Sequence, residues 1–543
     1  MTWNRHSWTP LLVCAVTLLG CPSPTPGTPD ASTPDASIPD ASTGQPDAST
    51  GSEWDGGYVP LEETGNPWTD TGALSSCTFT TADYGGPCND FSVFDLSACD
   101  KDSLANAGTD GQYMLTTRSV DEPPYFYTAG LVLRSDGGTQ YLNAEPITQE
   151  ERDGNARFYA SRRTFPDGGW FGTMLATCEA PQAPAFTGCS TFCRNGKLLV
   201  METFKAERLK WRAGESESSG LELVSESHVD TGYPSDIYVT KGHAYVVSTV
   251  HQQDKEGGLT VFDVSNKAAP VKVKTIQLPG DNYWNGVWAK GDALYVASTT
   301  KGVNVFDISN PADPKLIRNL PSGGSAVNVH TVFVEGNRLY ATATAGVLIF
   351  DVTNPLEPVE LNRYAPYPGQ AHDMFAVGHQ LYVNYGIRGY MVVDASNPDD
   401  LRTLGKFTYP GQYSHHNAVG TFAGRTIAFE GGEGSGEHLR VLDITDPANI
   451  VKIGSFQLRP EISIHNMLLV GKKLYVAWYQ EGVRVLDVSN PTRPTQVAHY
   501  NTWREVDEDP GVYFGGAIGI RVPGDGFIYV ADTWRGLLIL REK

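Results

Sequence analysis

Four histidines stand at matching places in four consecutive units of this chain, each directly before a predicted inner strand. Imidazoles that converge on one point bind divalent transition metals such as Zn, Fe, Cu or Mn. The four histidines are His330, His372, His416 and His465, in the segments HTVFV, HDMFA, HNAVG and HNMLL. Neighbouring polar groups could orient the rings, and the candidates are Asp373, His415, Asn417 and Asn466.

A second interpretation of these histidines requires no metal. Histidine is a medium-sized polar residue that can end an inner strand while bonding to water and backbone groups. The sequence leaves both interpretations open, and a divalent transition metal is the one cofactor it suggests. Metal analysis of the purified protein would separate them.

No complete catalytic set is visible in the sequence. The chain has no G-x-S-x-G elbow, H-E-x-x-H pair, P-loop, G-x-G-x-x-G or EF-hand motif. Carboxylates such as Asp373, Glu430 and Asp532 could pair, but their spacing does not test this. Catalytic residues are therefore unknown. Two hypotheses follow: a binding or scaffold platform, and a metal-dependent enzyme with a histidine centre.

Aromatic residues cluster in the connections expected on the same side as the histidines. Loops on a rigid scaffold often carry recognition, and exposed aromatic groups often mark a ligand surface. A protein, peptide or glycan ligand would fit such a face. The residues predicted for it are Tyr283, Trp284, Asn285, Tyr413, Trp478 and Trp534.

These residues must be positioned by a repeated element. A phrase of apolar strand, Asp and Ser/Thr-Asn-Pro turn occurs six times, and its Asp residues are separated by 44, 44, 43, 49 and 44 positions. Short β runs with a period of about 40–50 residues are typical of β-propellers. The copies are Gly258–Pro270, Gly302–Pro314, Gly346–Pro358, Gly389–Leu401, His438–Ile450 and Gly482–Pro494.

Seven units can be aligned from about residue 220 to 541, and the last one ends at Gly536–Leu540 without an outer strand. The unassigned strand Leu221–Ser227 precedes the first unit and can pair beside Gly536–Leu540. Such pairing would cover a bare sheet edge and close the ring. We therefore predict an all-β chain with a seven-bladed propeller closed by an N-terminal strand.

The repeated phrase, alternating with strands such as Leu294–Val296, resembles the LVIVD-repeat family of bacterial secreted proteins. The resemblance spans about Gly220 to Leu540. It implies a β-propeller at the cell surface or in the periplasm. It implies no shared reaction, cofactor or catalytic residue.

Six cysteines precede the propeller, and an even number in an exported chain suggests disulfides. Zinc is the competing explanation, but there is no CxxC pair and no nearby histidine. We predict a small disulfide-bonded β domain over residues 75–194, either barrel or sandwich, to which Lys197–Phe204 belongs or is a connector. The cysteines are Cys77, Cys88, Cys99, Cys178, Cys189 and Cys193, and their pairing stays open.

The N-terminus carries a processing signal. Arg5, the apolar run Leu11–Leu19 and Gly20–Cys21 resemble a bacterial lipoprotein signal over residues 1–20, with Cys21 lipidated. Pro22 in place of Asp implies the outer membrane. The alternative is an ordinary secretory signal. Residues 21–58 are rich in Pro, Ser, Asp and Ala and predict a disordered tether.

The charge balance excludes one class of partner. The formal net charge is -21, and no basic run is present. Affinity for nucleic acid depends on Lys and Arg that neutralise phosphates. We therefore expect no nucleic-acid partner. The expected partners are a membrane, through the lipid anchor, and an unidentified ligand of the propeller.

Overall fold

The structure, a computed structural model, describes residues 54–65, 67–165, 167–250, 255–321, 327–507 and 514–543. Within these ranges the named strands pair antiparallel, and the helical elements are short 3-10 turns at Phe91–Val93, Ser103–Asn106 and Pro447–Asn449. No helix in them is long and apolar enough to cross a membrane. The predicted signal, Cys21 and the tether up to residue 53 lie outside the described residues.

The C-terminal part is the predicted seven-bladed propeller, with four strands, a to d, in each blade from the axis outwards. In each of the first four blades, the four strands follow one another directly along the chain. Blade 1 contains Tyr233–Thr240, His243–Thr249, Gly258–Asp263 and Val271–Ile276; blade 2 contains Trp284–Lys290, Ala293–Ser298, Gly302–Asp307 and Lys315–Leu320; blade 3 contains Val329–Glu335, Arg338–Ala343, Gly346–Asp351 and Val359–Tyr364; blade 4 contains Asp373–Val377, Gln380–Asn384, Tyr390–Asp394 and Arg402–Phe407.

The last three blades complete the ring. Blade 5 contains Ser414–Phe422, Arg425–Gly432, Leu439–Asp443 and Val451–Phe456. Blade 6 contains Met467–Val470, Lys473–Ala477, Val483–Asp487 and Thr495–Tyr500, and Ser218–Ser219 pairs along its outer edge. Blade 7 contains Ala517–Arg521, Ile528–Asp532 and Gly536–Glu542, with Leu221–Ser227 as its outer strand.

The repeated aspartates are turn-forming residues. Asp307 accepts a hydrogen bond from the Ser309 amide at 2.7 Å, and Asp351 accepts one from the Thr353 amide at 2.7 Å. An aspartate that binds the amide two residues later fixes the turn after a strand. The chain therefore uses these residues as scaffold in blades 1 to 6.

Ring closure occurs as the sequence predicts. Leu221 pairs with Glu542 and Leu223 with Leu540, antiparallel. Leu221 is fully buried and packs in one apolar cluster with Val530 and Leu540. The first segment of the propeller is thus joined to the last, and the edge of blade 7 is covered.

The cysteine-bearing domain is a closed barrel in which each strand pairs with the next and the last pairs with the first. A two-stranded sheet of Thr78–Phe79 and Phe94–Asp95 precedes it. The barrel strands are Gly111–Ser119, Phe126–Leu133, Tyr141–Leu142, Glu145–Asp153, Ala156–Thr164, Trp170–Gln182, Ala185–Arg194 and Lys197–Arg208. Lys197–Arg208 is therefore a barrel strand, and it closes the barrel against Gly111–Ser119.

Three disulfides hold the segment before the barrel onto the barrel wall. They join Cys77 to Cys189, Cys88 to Cys193 and Cys99 to Cys178. The Cα–Cα separations of 5.0–6.1 Å are those that a disulfide spans. The prediction of disulfides is confirmed, and their pairing is now defined.

The barrel packs on the loops of blades 5 and 6, on the face where strands a begin. Met114 and Leu209 share an apolar cluster with Trp478 and Trp503. The Trp503 indole donates to Gln112 Oε1 at 2.9 Å, and the Trp211 indole donates to the Trp503 carbonyl at 3.0 Å. Barrel and propeller thus form one compact unit.

Buried arginines in three consecutive blades receive glutamates from segments that precede blade 1 in the chain. Arg440 of blade 5 pairs with Glu63 at 2.9 Å, and Arg484 of blade 6 pairs with Glu215 at 3.1 Å. Arg535 of blade 7 pairs with Glu226 at 2.7 Å. A buried guanidinium without a carboxylate would be costly, so these pairs fix where the segments lie.

We predict that ring closure contributes strongly to stability. Leu221→Ala removes a fully buried side chain from the closing strand and should lower the free energy of unfolding by about 2–5 kcal/mol. The matched control is the adjacent Glu222→Ala, which loses an exposed ion pair with Arg541 and should cost less than about 1 kcal/mol. Urea unfolding followed by tryptophan fluorescence measures both, and equal effects would contradict the closure.

The second prediction concerns Glu63, which contacts Arg440, Lys452 and His438. Burial opposes its ionisation, but the hydrogen bond with His438, the charge of Arg440 and the hydrogen bond from Lys452 prevail and lower the pKa of Glu63. Its contribution is therefore present above the ordinary glutamate pKa of about 4.3 and is lost as the pH falls below it. Glu63→Gln should cost about 3–5 kcal/mol at neutral pH, because buried Lys452 loses its carboxylate partner and Arg440 keeps only Glu430 and Glu437.

The difference in the free energy of unfolding between wild type and Glu63→Gln should become smaller as the pH falls from about 5 towards about 3. The exposed neighbour Glu62 provides the control Glu62→Gln, which should leave stability nearly unchanged. A pH-independent difference would show that the carboxylate charge is not what holds the segment.

Candidate functional site

The candidate site lies where four inner strands begin, at the mouth of the channel enclosed by the ring. His330 occupies a β-bulge between the paired residues Val329 and Thr331. His465 and Asn466 both hydrogen-bond to Ala477 on the neighbouring strand. Such irregularities at strand ends redirect side chains, and here imidazoles from neighbouring blades stack against one another.

The imidazoles form a row across blades 3 to 6. Ring centroids are 4.0 Å apart between His330 and His372, 4.3 Å between His372 and His415, and 4.3 Å between His415 and His465. Three of the four histidines aligned from the sequence thus come together. In blade 5 it is His415, and not the aligned His416, that stands in the row.

The reason for this difference is a β-bulge that strands a of several blades share. Ser414 pairs with Gly432 and His416 with Gly431, so His415 is the extra residue in blade 5, as His330 is in blade 3. The sequence alignment matched His416 to His330 and was therefore one position off in blade 5. His416 points elsewhere, with its Nε2 3.6 Å from Asp373 Oδ2.

A carboxylate that the sequence analysis did not select lies against the row. Glu433 follows strand b of blade 5, and its Oε2 is 3.6 Å from His415 Nε2 and 4.0 Å from His372 Nε2. Its Oε1 is 3.6 Å from His465 Nε2. The longest repeat step, 49 residues between Asp394 and Asp443, was the signal that this blade carries additional residues.

The donor set fits a transition metal. Ligand atoms of His372, His415 and Glu433 all lie within 4.8 Å of one another, and His465 approaches the second carboxylate oxygen. Imidazole with carboxylate is a usual set for Zn and for non-haem Fe or Mn. We name His372, His415, His465 and Glu433 the histidine–glutamate centre.

Burial keeps these imidazoles neutral. It lowers the pKa of His465 to about 3 and that of His330 to about 4. The pKa values of His372 and His415 lie well below the usual range, because of burial and the neighbouring rings. A neutral imidazole has a free lone pair, so the centre is ready to accept a cation at neutral pH.

Other groups orient the ligands. The Tyr479 hydroxyl donates to Glu433 Oε1 at 2.6 Å, and His465 Nδ1 lies 2.7 Å from the Ile518 carbonyl. Burial raises the pKa of Glu433 to about 7, and the Tyr479 hydrogen bond acts against this rise. Bonds of this kind fix ring and carboxylate orientation around metal ions.

Tyr479 also has an unusual backbone. Its φ of 38° lies in the left-handed region, which costs energy for a residue with a side chain. The amide and carbonyl of Tyr479 both bond to Ala517 of blade 7, at 2.8 and 3.1 Å. This ladder holds the turn in place, and the ring packs against His465 with centroids 4.6 Å apart.

The remaining predicted polar residues lie around the centre rather than in it. Asn285 Nδ2 is 3.1 Å from His330 Nε2, and Asp373 contacts His416. Asn417 donates to the Tyr382 carbonyl at 3.0 Å, so its amide binds the scaffold of blade 4. Asn466 contributes its backbone carbonyl to Ala477.

The predicted ligand face needs a correction. Trp284 and Trp478 are fully buried and pack inside the blades, Trp284 against Phe306 and Trp478 against Phe456. Their rings fill the space between sheets and are unavailable to a ligand. Tyr283, Tyr413 and Trp534 are half-buried, and Tyr413 packs edge-on against His372 at 5.4 Å.

Comparison with known proteins identifies the repeat. The model of the LVIVD repeat matches residues 231–277, 283–320, 323–365, 368–408, 465–502 and 515–540. The chain therefore carries six LVIVD repeats, and five of the six copies of the repeated phrase lie within them. The stretch between residues 408 and 465, which contains His415 and Glu433, is not matched. No curated protein matches the chain.

Solved structures that resemble the chain include propellers. The WD40 β-propeller domain of Doa1 is 11% identical, with 60% of this chain and 98% of that chain covered and a TM-score of 0.45. The Cps50 (Swd1) β-propeller domain of Myceliophteria thermophila is 10% identical, with 58% and 98% covered and a TM-score of 0.43. A computationally designed protein, Ika8, is 9% identical, with 73% and 96% covered and a TM-score of 0.39.

Proposed function

We propose that this LVIVD-repeat propeller is an exported platform protein that binds a divalent transition metal at its histidine–glutamate centre. One observation carries the proposal. Nε2 atoms of His372, His415 and His465, from three different blades, lie within 3.6–4.0 Å of one half-buried carboxylate. Ion-pairing alone does not account for it, because burial keeps these imidazoles uncharged.

The electrostatics favour a cation over an empty polar cluster. The Nδ1 atoms of His372 and His415 are buried and have no hydrogen-bond partner among the described residues. Neutral rings beside a carboxylate that ionises near neutral pH form a site to which a dication adds the missing positive charge. A bound metal would supply a Lewis acid or a redox centre, and any catalysis by the chain would depend on it.

The first test is metal content and affinity. We expect purified protein to retain or take up about one equivalent of a transition metal, measured by elemental analysis and by calorimetric titration of metal-stripped protein. His372→Ala and Glu433→Gln should each weaken binding by at least about a hundredfold, since even outer partners of ligands contribute 10–100-fold. The visible spectrum of the Co²⁺ form reports whether imidazole ligands are present.

His379→Ala is the matched control, because this half-exposed imidazole lies in blade 4 and contacts Glu335. It should leave affinity unchanged. Wild-type protein that takes up no Zn, Fe, Mn or Cu would refute the metal function. Equal loss of affinity in the control would place binding outside the centre.

We further propose export with anchoring through a lipid on Cys21. The three disulfides support an oxidising compartment, and the N-terminal sequence supports lipidation. In this proposal the tether holds the barrel and propeller away from the outer membrane. The half-buried aromatic residues at the mouth would contribute to a platform for a protein, peptide or glycan ligand.

Replacement of the acceptor cysteine tests the anchor. Cys21→Ser should abolish incorporation of radiolabelled fatty acid and move the protein from the membrane fraction to the soluble fraction. Cys14→Ser, within the predicted signal, is the control and should leave both unchanged. Membrane retention of Cys21→Ser would argue for another form of attachment.

A further inference from the structure

The loop that carries Glu433 is longer than the turn at the same place in blade 3. It runs from Glu433 to His438 between strands b and c of blade 5, with the sequence EGSGEH. In blade 3 only Thr344 and Ala345 separate the same two strands. Two glycines in a long loop permit many conformations, so something else must hold Glu433 opposite the imidazoles.

The barrel provides one of the contacts that hold this loop. The amide of Thr128, in barrel strand Phe126–Leu133, donates to Ser435 Oγ at 2.9 Å. Thr128 is fully buried, and Ser435 is half-buried. Ser435 lies two residues after Glu433, and this contact therefore fixes the tip of the loop directly to the other domain.

The segment before the barrel covers the same tip. A Cβ on Gly436 would lie 2.8 Å from Pro67 Cδ and 3.2 Å from Trp68 Nε1. Trp68 in turn stacks on Phe126 of the barrel strand, with ring centroids 5.7 Å apart. The loop is thus enclosed between the propeller and a surface made of the barrel and its preceding segment.

The propeller side of the loop is tied down as well. Gly434 donates to Ser463 Oγ at 3.0 Å, and Gly436 donates to the Pro460 carbonyl at 2.8 Å. The Glu433 amide donates to the Tyr413 carbonyl at 3.0 Å. With both sides fixed, the carboxylate reaches its place opposite His372, His415 and His465 without further ordering.

We infer that the barrel domain acts as a clamp that presents Glu433 to the centre, with Ser435 as the positioning residue. The inference rests on the proposed metal function, which it deepens by assigning a role to the N-terminal domain. A ligand held in its bound position before the metal arrives binds it more tightly, because no loop ordering opposes binding. The clamp therefore couples the contact between domains to the affinity of the centre.

The experiment uses the full chain and Ser435→Ala, which removes the acceptor of the Thr128 amide. We expect metal-stripped Ser435→Ala to bind Zn²⁺ about tenfold more weakly than wild type, at the lower end of the effect of outer partners. Thr344→Ala, an exposed hydroxyl in the corresponding turn of blade 3, is the matched control. Its affinity should equal that of wild type.

A double-mutant cycle separates positioning from a general structural effect. If Ser435 acts through Glu433, then Ser435→Ala should not weaken binding further in a Glu433→Gln background. An equal tenfold loss in both backgrounds would overturn the inference. A Zn²⁺ affinity of Ser435→Ala equal to that of wild type would also overturn the inference.

A second experiment tests the clamp in metal-free protein. Amide hydrogen exchange of residues 431–438, followed by mass spectrometry, should be at least about tenfold faster in metal-free Ser435→Ala than in wild type, because the clamp is lost. Unchanged exchange would refute the clamp, whatever the metal result. Protein that binds no metal but shows faster loop exchange would refute the metal function while keeping the clamp.

Discussion

Closure of the ring is the constraint on which the rest of the molecule depends. The pairing of Leu221–Ser227 with Gly536–Glu542 joins the two ends of the repeat array, so the inner strands of all seven blades must converge on one axis. Residues more than one hundred positions apart, such as His330 and His465, are thereby brought to one row of rings. An open array would separate them, and no local feature of either blade would compensate.

The second constraint is the cost of burying charge. The centre avoids it by using imidazoles that stay neutral and a carboxyl group whose pKa lies near neutrality. Among the described residues, buried arginines are paired with glutamates, as Arg440 is with Glu63. Those pairs set a positive charge against a carboxylate and hold segments together, whereas the centre sets uncharged rings around its carboxyl group. This contrast in charge separates a site to which a cation can be added from a network that serves the fold.

Periodicity explains how much of this could be predicted from the sequence. The blade count, the closing strand and the convergence of His330, His372 and His465 follow from the repeat alone. His415 was missed because strand pairing, and not the sequence pattern, shows which residue is the extra one in the bulge that it shares with His330. Glu433 was missed because it lies in the loop after strand b, outside the repeated phrase. Trp284 and Trp478 were predicted at the surface because aromatic character does not indicate which side of a sheet a ring occupies.

Blade 5 takes part both in the centre and in the contact between domains. Its strand a places His415 in the row, the loop after its strand b supplies Glu433, and the tip of that loop meets the barrel through Ser435. Its strand c carries Arg440, which receives Glu63 from the segment before the barrel, as Arg484 of blade 6 receives Glu215. One blade therefore links the candidate centre to the domain that precedes the propeller.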